Sequence, residues 1–210
     1  MKKSVKILFV CAALCLLGYS AFRLVMHNTV RQIHIDRVPI AASVSQLQEV
    51  SDLIVVVEPE SRETKLQYYD DGNVSVGYTE TVCRVERVLH GKVPEGDTVR
   101  VTEECYRSKD GVLWTQQGYL PMKDGERYLL FLSAYGEDSA YAGMFFPIDL
   151  EYGKYVLPNG QFAAENIKTS AKVLQVGEAT DLSKYEQWYQ EIRDIYSELF
   201  QSKSKISRFS

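Results

Sequence analysis

Hydrophobic positions at the start of the chain form one long block. Lysines occupy positions 2, 3 and 6, and an almost unbroken apolar run extends from Ile7 to Phe22. A basic head followed by an apolar segment is typical of chains that enter the secretion pathway. We therefore expect residues 1–26 to form a signal peptide or a signal-anchor helix, with the rest of the chain outside the cytoplasm.

Two fates of this segment stay open. As a helix, the run is about 24 Å long at about 1.5 Å per residue, and continuation to Met26 brings it near the roughly 30 Å of a bilayer core. A retained anchor would make a single-pass protein of the cell membrane, with its C-terminal domain outside. Cleavage near Ser20, which Gly18 precedes at signal-peptidase spacing, would instead release a secreted protein.

The middle of the chain alternates between apolar and polar positions, as β-strands do. Residues 27–42 show no clear period and are predicted to be a spacer. A hairpin is expected over 62–84, around the turn residues 70–73, with a bulge near Val85. Further strands are predicted at 52–58, 99–103, 127–132, 141–148 and 155–157.

Helical spacing appears only after Asp181. Ser183 and Glu186 stand at capping-box spacing, and residues 179–202 are predicted to form an amphipathic helix that packs on the strands. Its apolar stripe consists of Leu182, Tyr185, Tyr189, Ile192, Tyr196 and Leu199. Residues 203–210 form a polar tail.

These elements predict a mainly β fold with a C-terminal α-helix. Short strands separated by turn signals favour an OB-like five-stranded barrel over residues 43–178. The barrel would stand behind the N-terminal transmembrane or signal helix as one domain.

Charge narrows the range of partners. The chain has 24 basic and 28 acidic residues, and residues 1–26 hold four of the basic ones and none of the acidic ones. The exported part therefore carries a net charge of −8, which argues against nucleic acid as a partner.

Cys83 and Cys105 are the two cysteines beyond the leader, and they lie at equal distance from Pro94. In a regular antiparallel hairpin this symmetry places them opposite one another, within disulfide reach. We predict a bridge that stabilises the fold by roughly 3 kcal/mol. The alternative is two buried thiols on opposite faces, after a register shift near Val85.

Residues with catalytic or metal-binding spacing are lacking. The three histidines are not paired at ligand spacing, and the chain has no HExxH, CxxC or Gly-x-Ser-x-Gly motif. Glu103 and Glu104 are adjacent, so on a strand they point to opposite faces. We predict no catalytic residue, no metal and no cofactor, and hence not an enzyme; an extracytoplasmic hydrolase is the third alternative.

Aromatic residues are the remaining candidates for a site. Fourteen tyrosines are present, and several aromatic residues fall in or beside predicted loops. Such loops on OB-like barrels bind oligosaccharides, peptides or proteins. The alternative is that these rings cover the barrel ends or pack under the helix. The predicted binding residues are Tyr106, Trp114, Tyr119, Tyr141, Phe145 and Tyr152.

Four segments in order carry a family resemblance: 51–56 (SDLIVV), 85–91 (VERVLHG), 96–99 (GDTV) and 125–131 (GERYLLF). They resemble exported bacterial domains related to the OB-like, netrin-type barrel, whose best-known animal members are the tissue inhibitors of metalloproteinases. The resemblance covers about residues 50–160 and implies the fold. Zinc chelation by an N-terminal cysteine does not carry over, because no cysteine begins this domain.

The expected function is that of a membrane-tethered, extracytoplasmic, non-catalytic binding domain of the bacterial envelope. Its partners would be the membrane, through the N-terminal helix, and an envelope protein, a peptide or a glycan. The second alternative is an inhibitor or immunity-type protein that acts on an exported enzyme.

Overall fold

The computed structural model describes residues 2–117, 119–157 and 181–200. The helices are α1 (Lys2–Asn28), α2 (Val44–Glu49) and α3 (Leu182–Ile195). The predicted polar tail at 203–210 lies outside the described residues. The strands are β1 (Val30–Ile33), β2 (Leu53–Tyr68), β3 (Val74–His90), β4 (Thr98–Glu103), β5 (Cys105–Arg107), β6 (Leu113–Gln116), β7 (Arg127–Ala134), β8 (Phe145–Pro147) and β9 (Lys154–Leu157).

Five strands close into a barrel in the order β2-β3-β4-β8-β7, with β7 pairing back onto β2. The neighbours are antiparallel except β4 and β8, which meet in parallel at Val101 and Phe145. The strand β9 continues the sheet along β7. The prediction of a mainly β fold with a five-stranded barrel is confirmed, and the connectivity is compatible with an OB-like barrel.

The apolar run at the start of β2 is buried on both faces. Leu53, Val55 and Val57 point into the barrel, where they contact residues of β3, β4 and β7. Ile54 and Val56 point outward into a second core that contains α3. Burial on both sides explains why this strand is continuously apolar rather than alternating.

The C-terminal helix packs on the barrel through its aromatic stripe, as predicted. Tyr185 and Ile192 are completely buried, and the Tyr185 hydroxyl donates to the carbonyl of Lys154 on β9. The predicted cap at Ser183 is wrong. Asp181 caps the helix instead, since its side chain accepts a hydrogen bond from the Lys184 amide at 3.1 Å, and the helix therefore begins at Leu182.

The long hairpin of β2 and β3 turns at the predicted residues, where the Tyr69 amide donates to the Asn73 carbonyl. Its register shifts at several places, and β3 carries extra residues at Ser75, Glu86 and Leu89. Such bulges increase the local bend and twist of a strand. They allow β3 to curve along both β2 and β4.

The predicted disulfide between Cys83 and Cys105 is wrong, because both are buried free thiols. Cys83 pairs with Val99, whereas the carbonyl of Cys105 accepts a hydrogen bond from the Thr79 hydroxyl at 2.8 Å. Thr79 precedes Cys83 by four residues, roughly 13 Å along a strand, which exceeds the reach of about 7 Å between bridged Cα atoms. Burial raises the pKa of both thiols.

Residues 27–42, which we expected to be a spacer, contact the domain at several points. The strand β1 pairs in parallel with β6, and β6 pairs with β5 to complete a three-stranded sheet. Further on, the amides of Ile40 and Ala41 donate to the Asp149 carboxylate. The segment gains its structure from tertiary partners, which its own sequence pattern does not reveal.

The helix α1 precedes this segment and exposes large apolar side chains, including Leu16, Leu17 and Phe22. At its end, the Arg107 guanidinium donates to the His27 carbonyl at 2.8 Å. Among the helices in the described part of the chain, none has the combination of length and apolar character required to traverse a membrane.

Candidate binding groove

A groove of about 380 Å³ follows the first residues of β3. It lies between the segment 106–116, which carries β5 and β6, and the segment 135–141, with residues of the N-terminal segment on its rim. Four tyrosines dominate its lining. The lining residues are Ile33, Ile35, Val74, Ser75, Val76, Gly77, Tyr78, Thr102, Glu104, Tyr106, Gln116, Tyr135 and Tyr141.

Three of the tyrosines form one wall and support one another. The ring of Tyr141 meets Tyr78 edge-to-face at 5.1 Å between centroids and Tyr135 at 4.9 Å. The Tyr135 hydroxyl lies 2.9 Å from the Thr102 hydroxyl of β4. These contacts hold the wall in place, because each ring is fixed by at least one neighbour.

The fourth tyrosine, Tyr106, forms the opposite wall and is 7% exposed. Its ring lies directly over Gly77, where an added Cβ would overlap it. Behind it, Trp114 stacks at 6.2 Å between centroids, and the Arg31 guanidinium covers Trp114. Gly77 is therefore required by the close approach of the Tyr106 ring.

One charged group lines the groove. Glu104 is 24% exposed in its side chain and forms an ion pair with Arg37 at 3.1 Å. Arg37 also donates to the Gln116 side chain at 2.7 Å, which joins the N-terminal segment to β6. The groove thus presents a mostly uncharged aromatic surface with one partly neutralised carboxylate.

Two of the six predicted binding residues, Tyr106 and Tyr141, line the groove. Trp114 supports Tyr106 from behind and belongs to β6 rather than to an irregular loop. Three of the predicted aromatic residues therefore lie in one region: Tyr106 and Tyr141 line the groove, and Trp114 contacts Tyr106.

The other three predicted residues lie elsewhere. Phe145 packs against the barrel interior, and Tyr119 is buried with its hydroxyl 3.0 Å from the Glu103 carboxylate. Tyr152 packs against Tyr185 and Trp188 of α3. These three rings take the alternative role considered from the sequence, that of covering and filling the fold.

Sequence reasoning missed Tyr78, Tyr135, Ile33 and Ile35 as lining residues. Tyr78 carried a usable signal, because it continues the alternation of Val74 and Val76 on the outward face of a predicted strand. Ile33 and Ile35 alternate about His34, a short strand-like pattern inside the presumed spacer. No sequence pattern indicated Tyr135, because it lies in the groove only through the position at which β7 ends, one residue before it.

Beneath this region lies a buried carboxylate, Glu103, which is completely inaccessible to solvent. It accepts hydrogen bonds from the hydroxyls of Thr81 and Tyr119 and from the Met122 amide at 2.7 Å. Burial and the Glu103 charge raise the pKa of Tyr119 well above its usual value of 10. These bonds attach the chain around residues 119–122 to β3 and β4.

A second buried carboxylate, Glu151, pairs with Lys154 at 3.0 Å and accepts from the Leu120 amide at 2.6 Å. Burial raises the pKa of Glu151 despite the attraction of Lys154. Lys154 also donates to the Leu120 carbonyl and lies over the Tyr119 ring. This network is structural, because its charged groups bind the protein itself.

Neither buried carboxylate lines the groove, so the two do not form an acid–base pair that a ligand in the groove could reach. Within residues 2–117, 119–157 and 181–200, no group of three or more His, Cys, Asp or Glu side chains is arranged to hold a metal ion. The chemistry that the groove offers is apolar contact, hydroxyl hydrogen bonding and one carboxylate.

Comparison with known proteins gives no further assignment: no family model matches the chain, and no curated protein matches it.

Proposed function

We propose that this protein is a non-catalytic binding domain and that its ligand occupies the groove along β3. The observation that carries the proposal is the tyrosine-lined cavity of about 380 Å³ between segments 106–116 and 135–141. Cavities of this size with aromatic walls and few polar groups are typical ligand sites. The function rests on recognition, because the lining has hydroxyl groups and a single carboxylate but no activated nucleophile.

The proposed location is the outer face of the cell membrane of a bacterium, with the N-terminal segment as the tether. Two features support it: the basic head before the apolar run in the sequence, and the apolar side chains that α1 leaves exposed. Leu14, Leu16, Leu17, Leu24 and Val25 are each 63–67% exposed. Such a helix requires an apolar environment to cover it.

The finer family assignment is also a proposal. The closed five-stranded order and the terminal helix support a netrin-type relationship within OB-like barrels. The zinc-chelating activity of the metalloproteinase inhibitors is not part of it, because the chain that enters the barrel carries no cysteine between Cys15 and Cys83.

Site-specific photo-crosslinking on intact cells tests the site. A photoreactive side chain at Tyr141, in the groove, is compared with one at Tyr152, a half-buried tyrosine that packs on α3. We expect a discrete adduct from position 141 and none from position 152. Equal labelling at the two positions, or no adduct from 141, contradicts the proposed site.

Fractionation with protease treatment of spheroplasts tests the location. We expect the full-length chain in the membrane fraction, with its folded domain accessible to protease added from outside. Recovery of the intact chain in the cytosol contradicts the proposed tether and location together.

A further inference from the structure

The groove runs along the edge of β3 and not across one of its faces. Side chains of a strand alternate between its two faces, so a cavity on one face is lined by every second residue. Here the five consecutive residues 74–78 all line the cavity. Only an opening at the strand edge gives access to both faces of the same five residues.

This edge has no partner strand among the described residues. The pairing of β3 with β4 covers Thr79–Arg84 and ends where Thr79 meets Glu103. Beyond that point the chain of β4 bends away, and β5 pairs with β6 instead. The segment 74–78 lies beside β2 on one edge, and its other edge has no hydrogen-bonded strand in the described part of the chain.

The register indicates which backbone groups point into the groove. Val85 donates its amide to Asp97 and accepts from Gly96, so its backbone groups point toward β4. Alternate residues of a strand share this direction, and β3 has no extra residue between Val85 and Val76, whereas Ser75 is the extra residue of a bulge opposite Gln67 and Tyr68. Counting back in twos from Val85 places the amide and carbonyl of Gly77 at the open edge.

We propose that the occupant of the groove is an extended polypeptide segment that adds to β3 as a further strand. This inference deepens the proposed function and rests on it, since it names the class of ligand for the same groove. Backbone hydrogen bonds to Gly77 contribute to the affinity, and the tyrosine walls receive alternate side chains of the segment. Five residues of edge extend over roughly 16 Å, enough for a strand of four or five residues.

The charge of the groove restricts the segment further. Glu104 is the one ionisable carboxylate in the lining, and no Lys, Arg or His side chain lines it. An acidic side chain opposite Glu104 would be repelled, so the segment carries apolar, aromatic or basic side chains there.

Selection from a random linear heptapeptide library displayed on phage, against the purified full-length chain, tests the inference. The best synthetic peptide is then methylated at one backbone nitrogen at a time. We expect affinity to fall at least tenfold for alternate positions and less than about twofold for the positions between them, because only alternate amides face β3.

A matched pair of protein variants provides the second measurement. Gly77→Pro removes the edge amide, whereas Gly77→Ala keeps it, and both variants add the same Cβ against the Tyr106 ring. We expect peptide binding to be at least tenfold weaker for Gly77→Pro than for Gly77→Ala, and equal binding by the two variants contradicts strand addition. Thermal unfolding establishes that each variant folds, and the methylation series gives the answer if either Gly77 variant does not.

The outcomes separate this inference from the proposed function. A peptide whose binding is insensitive to methylation, or equally sensitive at every position, overturns strand addition. If an array of cell-wall oligosaccharides yields a ligand that Tyr141→Ala abolishes while no peptide is enriched, the groove stands as the site and the polypeptide class is wrong. If neither probe binds through Tyr141, both proposals fail.

Discussion

The two strands of the long hairpin each leave one edge without a partner strand in the part of the chain that the structure describes, and these edges differ in composition. On β2, pairing with β7 ends at Val57. The following residues include Pro59 and five charged side chains: Glu58, Glu60, Arg62, Glu63 and Lys65. On β3, residues 74–78 (VSVGY) carry no charge and no proline.

The β2 edge has the features by which proteins prevent strand addition. Pro59 lacks an amide, the register shifts beside Glu60, and Lys65 forms an ion pair with Glu63 at 2.6 Å. The β3 edge has a register shift of its own at Ser75, but over residues 74–78 it has no proline and no charged side chain, and it is flanked by tyrosines. We infer from this contrast that the β3 edge is open because a ligand uses it, whereas the β2 edge is protected because none does.

The largest expected effect concerns the point at which the β3 edge opens. Glu103 is the last residue of β4 that pairs with β3, and Glu103→Ala leaves buried donors on Thr81, Tyr119 and Met122 without their acceptor. We expect a loss of about 3–5 kcal/mol in the free energy of unfolding, measured by urea denaturation.

The control for that variant is Glu104→Ala, one residue further on, where the carboxylate is part of a surface ion pair. Its expected cost is at most about 1 kcal/mol. Similar costs for the two variants would show that the buried network does not determine where β4 leaves β3.

Tyr106→Ala is expected to be nearly as severe, because it removes a buried ring that packs between Gly77 and Trp114. Loss of a large buried aromatic side chain costs about 3–5 kcal/mol. Thermal and urea unfolding measure the effect. Tyr106→Phe keeps the ring and should stay within about 1 kcal/mol of wild type; a comparable loss there would mean that the hydroxyl, and not the ring, supports the open edge.

Adding a charge to the open edge should convert it into a protected one. Val76 lines the groove on the outward face of β3, so Val76→Lys places an ammonium group where the added strand would lie. We expect tenfold or greater weakening of the selected heptapeptide, by fluorescence anisotropy, with the unfolding free energy changed by less than about 1 kcal/mol. Retained affinity would show that this edge is not the binding surface.

The smallest effect is expected from removing the charges of the β2 edge, a change that should make this edge able to pair with other strands. Glu63→Val combined with Lys65→Val gives this edge the apolar character of β3 at residues 74–78. We expect weak, concentration-dependent self-association, detected by light scattering, because an unprotected strand edge pairs with other edges. A strictly monomeric variant at high concentration would indicate that Pro59 and the bulge protect the edge without the charges.

Part of the site could be predicted from the sequence, and the reason for the limit is physical. Tyr106, Trp114 and Tyr141 are predicted from the sequence because aromatic residues in or beside the loops of an OB-like barrel bind ligands, and all three belong to one region. Phe145, Tyr119 and Tyr152 are predicted by the same criterion, but Tyr119 is buried, and Phe145 and Tyr152 are half-buried against the two cores. A linear pattern does not distinguish these roles, because burial of a loop ring depends on which distant element covers it.

The disulfide prediction failed for a related reason. Equal spacing of Cys83 and Cys105 about Pro94 describes a regular hairpin, but β3 contains bulges and β4 ends before Cys105. Register is set by which side chains the barrel buries, so it cannot be read from the midpoint of a loop.

The sequence by itself determined the local elements: the strand alternation, the turn at residues 70–73, the double-sided burial of 53–57 and the aromatic stripe of α3. These follow from short-range periodicity, which a few neighbouring residues express. Tertiary structure alone decided that β4 leaves β3 at Glu103, that 30–33 pair with β6, and that five residues of β3 face a groove. Each of these depends on contacts between segments tens of residues apart, where the free energy of burying one segment against another outweighs local preference.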